Sequence, residues 1–122
     1  MDSILRSIKK LIGFDLDSPF DEGFDLDLIS EINTALFAAT QLGVGPTSGM
    51  IITGPTETWS QFISDPLLIS IVTTFVKIKV KLSFDPPASQ TIIDALKNSE
   101  HEYAWRIDHY LMTKPNQGGT YV

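Results

Sequence analysis

The first fourteen residues, MDSILRSIKKLIGF, place apolar side chains at Ile4, Leu5, Ile8, Leu11 and Ile12. Steps of one, three, three and one put these on one helical face, so a short amphipathic helix ending at Gly13 is predicted. Its outer face carries Arg6, Lys9 and Lys10. Such a helix either packs on the core of its own domain or lies on an anionic membrane or a partner. A second apolar series, Leu28, Ile29, Ile32, Leu36, Phe37 and Leu42, predicts a longer helix. Ala35, Ala38 and Ala39 allow a close helix contact there, and Gly43 is the expected stop. The helix is expected to start where Asp25 or Asp27 can cap its first turn, since free N–H groups and the helix dipole favour a carboxylate.

Between Gly43 and Thr58 the string GVGPTSGMIITGPTET predicts turns around one apolar island, Met50 to Ile52. Trp59, Phe62 and Ile63 then fall three and four apart, which suggests one or two helical turns burying an aromatic plug. The next segment contains two competing signals. Val76 to Phe84 reads VKIKVKLSF, alternating and rich in β-branched residues, which by itself is a strand pattern. Yet Asp65–Pro66 is a cap followed by a first helical position, and Asp85-Pro86-Pro87 is a stop. The span between them is far longer than a usual strand of about 5 to 6 residues, and Ser70, Thr74, Lys77 and Lys81 form one polar stripe at helical spacing. One helix from Pro66 to Asp85 is therefore predicted. Ser89 caps a last helix whose inner face is Ile92, Ile93, Leu96, Tyr103, Ile107 and Leu111, with Asp94, Lys97, Glu100 and Glu102 outside. Lys114 to Gly119 cannot extend it. The expected fold is mainly α: a small helical bundle over residues 1–113 with a Gly/Pro-rich loop segment, then a flexible C-terminal tail, 114–122.

Composition narrows the function. The chain of 122 residues carries 15 acids and 9 bases, a net charge of -6, and no cysteine. An acidic balance argues against a nucleic-acid reader, whose affinity would come from Lys and Arg displacing counterions from phosphates. Without cysteine there is no disulfide framework, thiolate zinc site or cysteine nucleophile. The longest uncharged apolar stretch, Pro66 to Val76, is about half of the roughly 20 residues a bilayer crossing needs, so a soluble protein is expected.

Candidate chemistry thins out on inspection. An EF-hand opening at Asp15 would place Pro19 at its fifth position, Phe20 where glycine is required and Leu26 at the closing glutamate; opening at Asp21 fails equally. Gly43, Gly45 and Gly49 follow a helix and not a strand, and no Lys-Ser or Lys-Thr closes them as a phosphate loop would require. His101 and His109 stand eight apart, too far to share a metal on one helix face. Their neighbours Glu100, Glu102 and Asp108 suggest surface ion pairs. Neither an enzyme nor a cofactor is expected.

One ordered pattern remains. It consists of the SILRSIKKLIG helix, the TALFAATQLGVGP helix and turn, the TWSQF plug, and FVKIKVKLSFDPP ahead of a helix containing EYAWRID. The most specific pieces are QLGVGP at Gln41 to Pro46, Trp59, and LSFDPP at Leu82 to Pro87. From Ser3 to about Tyr110 this resembles the head-to-tail connector proteins, also called adaptor or head-completion proteins, of long-tailed double-stranded DNA bacteriophages. The acidic insertion at Ser18 to Gly23 departs from the pattern. The resemblance implies a structural virion protein of the neck, assembled in the host cytoplasm into a homo-oligomeric ring of about twelve copies. It also implies portal and tail or stopper proteins as partners, with DNA passing through the ring unread and no membrane involved. An acidic surface suits that passage. On this reading the portal interface is expected at Trp105, Tyr110, Leu111, Met112, Pro115, Tyr121 and Val122, since aromatic anchors dominate interfaces. The subunit interface is expected to match Lys77, Lys79 and Lys81 with Asp15, Asp17, Asp21, Glu22, Asp25 and Asp27 of the next copy. The alternative is a small soluble interaction module that uses Ile4, Ile8, Leu11 and Lys9 of the N-terminal helix at a membrane or partner surface.

Overall fold

The structure, a computed structural model, describes residues 3–13 and 22–113, and for residues 22–24 the backbone alone. The described residues are helical in five segments: α1 (Ile4–Leu11), α2 (Glu22–Gln41), α3 (Trp59–Phe62), α4 (Pro66–Phe84) and α5 (Gln90–Thr113). The predicted mainly α bundle is the fold observed. Asp15, Asp17 and Asp21, together with the tail residues Pro115, Tyr121 and Val122, lie outside the described residues.

α4 resolves the conflict in its own sequence. The Asp65 carboxylate accepts the Leu67 N–H at 3.0 Å, Pro66 occupies the first turn, and the helix runs unbroken to Phe84. The alternation that mimicked a strand is explained by two-sided burial. α4 packs against both α2 and α5, and against α1 as well. Leu68, Val72, Phe75, Val76 and Val80 join the common core, while Ile78, pointing elsewhere on the helix, is buried too. A helix covered on more than one side needs apolar residues around most of its circumference, and β-branched ones serve when packing outweighs propensity.

α1 is capped by Ser3, whose hydroxyl accepts the Arg6 N–H at 3.3 Å, and it ends before Gly13 at φ +97°. The Ile4 N–H bonds the Glu57 carbonyl at 3.0 Å, and the Trp59 indole N–H donates to the Ser7 hydroxyl at 3.4 Å. Ile4 and Ile8 are fully buried and Leu5 nearly so. This overturns the alternative of a free interfacial helix: the apolar face that would enter a membrane or partner is already part of the core. Among the described residues no helix is long and apolar enough to cross a membrane.

α2 starts earlier than its sequence suggested. It opens at Glu22, so Gly23 lies in its first turn and Asp25 and Asp27 lie inside the helix instead of capping it. Glycine costs least where few intrahelical bonds are yet made, and acids in the first turn favour the start. Asp25 is also the one buried charge among the described residues, 1% exposed, and its carboxylate holds the Lys9 ammonium at 3.1 Å. At the other end Gly43 (φ +102°) donates to the Thr40 carbonyl and Val44 to that of Ala39, the paired bonds that close a helix with a left-handed residue.

The Lys9–Asp25 pair gives a stability test. Removing one partner of a buried pair leaves an uncompensated charge, and here Asp25 cannot reach water whereas Arg6 on the same helix is exposed. Lys9→Met should lower unfolding free energy by about 3 kcal/mol in urea titration, and Arg6→Met should change it by less than about 0.5 kcal/mol.

Candidate interaction surfaces

The charges expected to join neighbouring copies are largely engaged within the chain. The Lys79 ammonium meets the Glu100 carboxylate at 2.6 Å, across the α4–α5 contact, and lies 5.5 Å from the centre of the Phe75 ring. Lys81 pairs with Asp85 one helical turn on, at 2.9 Å. Asp25 is buried on Lys9. These three therefore do not present free charge to a neighbour, because each has a nearer partner that costs no association entropy. Lys77 has no ion pair among the described residues, and Asp27 is exposed. Glu22 opens α2, and its side chain lies outside the description.

The residues expected to face the portal separate into two groups. The Tyr110 hydroxyl donates to Asp65 Oδ2 at 2.6 Å, so one carboxylate caps α4 and also ties down the end of α5. Leu111 is half-buried against the core, close enough to Gly43 that a Cβ there would sit 3.4 Å from it. Both are internal contacts. Trp105 and Met112 are exposed, 61% and 64%, and the Trp105 ring stacks on His109 with centroids 4.8 Å apart and planes within 10°. Trp105, His109 and Met112 follow one another at four and three residues, making one outward stripe at the end of α5.

Among the described residues neither histidine forms the expected ion pair. Successive helix positions point about 100° apart, and the acids beside His101 turn elsewhere, Glu100 to Lys79 and Glu102 to Arg106. Among the described residues no group of three or more His, Asp or Glu side chains is placed to hold a metal.

A second surface was not anticipated. Between α2 and the loop that follows it runs a groove of about 630 Å³. Its floor is Ile29 and Met50, both buried, and its rims are Leu26, Phe37 and Ile51, which are 55%, 60% and 63% exposed. Asn33 fixes the loop wall: its side-chain amide donates to the Ile52 carbonyl at 3.0 Å and accepts the Ile52 N–H at 2.9 Å, as a neighbouring strand would. The signal was present in the sequence, since residues 32–56 contain no Asp, Glu, Lys or Arg. Read as helix face and turns separately, the run does not show that the two build one uncharged surface.

The far end of the loop is clasped by Glu57. Its carboxylate accepts the Thr53 hydroxyl at 2.8 Å, the Thr53 N–H at 3.0 Å and the Gly54 N–H at 3.3 Å. Slight burial pushes this carboxyl up, but those hydrogen bonds outweigh it and hold the group below its ordinary value of 4.5.

Compared with known families, residues 4–112 match the family model described as phage connector protein. No curated protein and no solved structure matches the chain.

The Glu57 clasp carries a pH prediction. A carboxyl whose folded value is depressed contributes stability above its unfolded value and loses it as pH falls through the folded one. The melting temperature of wild type should exceed that of Glu57→Gln near neutral pH, and the gap should close once the pH falls below the lowered value of Glu57.

Proposed function

The chain belongs to the phage connector protein family, and from that premise, which makes it a structural head–tail connector of a bacteriophage virion, we propose that it forms a ring between the portal and the tail or stopper protein, continuing the DNA channel. The observation that carries this reading is the extent of the family match, residues 4–112, which takes in every described helix from α1 to the end of α5. The fold supports it in kind. A small rigid bundle with two exposed apolar surfaces, the α2 groove and the α5 stripe, is a building block for assembly, because isolated soluble domains seldom expose several large side chains together. Net charge supports it as well: at -6 the chain repels the DNA that must slide past it.

In this proposal residues 114–122, which follow α5, reach toward the portal. α5 is held near its end, with Tyr110 bonded to Asp65 and Leu111 seated beside Gly43.

Purified protein, alone and mixed with portal rings, should show a closed oligomer by native mass measurement. Truncation after Thr113 should leave circular dichroism and ring formation unchanged and weaken portal binding at least tenfold. Undiminished binding by the truncated protein would move the portal contact onto the helical body, and a strictly monomeric wild type in both conditions would sink the ring.

A further inference from the structure

A closed ring needs two different faces on each copy, one that receives and one that inserts. We infer that the receiving face is the uncharged groove between α2 and its following loop, and that the inserting face is the Trp105–His109–Met112 stripe of the next copy's α5. This inference rests on the ring reading and adds to it the surfaces by which copies join.

Several observations converge on this pairing. First, the groove lining holds none of Trp105, His109 and Met112, and both Trp105 and Met112 stay exposed. A copy therefore does not fill its own groove with its own stripe, and the place is open to that of a head-to-tail neighbour. Second, the groove is uncharged in its lining from Ile29 to Ile51, so a strongly charged occupant would lose hydration with nothing to replace it. The stripe meets this requirement through Trp105 and Met112 themselves, while Asp108, exposed and three residues after Trp105, stays at its edge. Third, the beside-lying charge Arg106 is already bound to Glu102 through its Nε at 2.9 Å, so it brings no free charge to the contact. Fourth, the inserting side chain is held in advance. Stacking on His109 limits the rotamers of Trp105, and anchors fixed before binding lose less entropy on docking. A tryptophan buries roughly 150–250 Å² when covered, which suits a concavity whose rims are themselves Leu26, Phe37 and Ile51. Portal binding is left to residues 114–122, so the two contacts do not compete for one surface.

The absence of cysteine from the chain makes the pairing directly readable. Two variants, Ile51→Cys and Met112→Cys, change side chains that are mostly exposed and leave the core untouched. Mixed under ring-forming conditions with a short bis-maleimide, they should give a dimer containing one copy of each, identified by mass when one variant is isotope-labelled. The double variant should give a ladder of covalent oligomers reaching the ring's full size. Phe37→Asp and Trp105→Ala, checked as folded by circular dichroism, should each raise the protein concentration needed for rings at least tenfold. Rings that form normally in both of these variants would overturn the inference while leaving the ring itself standing. Dimers formed only between two Ile51→Cys chains would overturn it in favour of a two-fold contact. If wild type makes no ring with or without the portal, the ring reading fails and this inference falls with it.

Discussion

The structure depends on α4 being a helix that is buried on more than one side. α2, α5 and α1 all pack on it, and each large apolar side chain it buries contributes about 1.5–3 kcal/mol. Asp65 sits at the point where that helix begins and α5 ends. Its carboxylate satisfies the Leu67 N–H with one oxygen and the Tyr110 hydroxyl with the other. A helix cap of this type is worth about 1 kcal/mol on its own, and here the same group also sets how far α5 travels along α4.

The arrangement of charge follows from the packing. Lys79 pairs with Glu100 because α4 and α5 run side by side, and Lys9 reaches Asp25 because α1 lies against the first turns of α2. Partners held in place by the fold need no further ordering, so these groups are engaged before any neighbour arrives. Among the described residues, large apolar side chains left exposed include the groove rims Leu26, Phe37 and Ile51, and the outward Trp105 and Met112. For the ring proposed above, contacts of this kind have the advantage of weak salt sensitivity.

Much of the fold was legible in the sequence. Periodicity located α1, the body of α2 and α5, and the cap-and-stop pair Asp65-Pro66 and Asp85-Pro86-Pro87 outweighed the local alternation in α4 because length and capping are properties of a whole element. The sequence places the start of α2 too late because Gly23 reads as a breaker when taken alone, whereas burial of Leu28 and Ile29 in the common core and the Lys9–Asp25 pair are tertiary effects. The functional surfaces were less legible for a similar reason. Clustered lysines and clustered acids suggested contacts between copies, but ion pairing depends on which helices are adjacent, and Lys79 finds Glu100 at a separation of 21 residues. Trp105, Tyr110, Leu111 and Met112 together exceed what one core-facing stripe requires, and of the four Trp105 and Met112 are left exposed. The groove was not legible, since it joins a helix face to a loop through the Asn33 amide, and nothing local in the sequence announces that bond.

The central claim is that copies of this chain meet through apolar surfaces, Lys79, Lys81 and Asp25 being engaged internally. Salt dependence of assembly tests it most directly. Sedimentation velocity of the ring would be measured from about 0.01 M to about 1 M sodium chloride, over which the Debye length shrinks from roughly 30 Å to roughly 3 Å. The account predicts that the ring population stays constant or rises with salt. A ring that dissociates steadily as salt increases would contradict it and return the contact to the lysines of α4 and the acids ahead of α2.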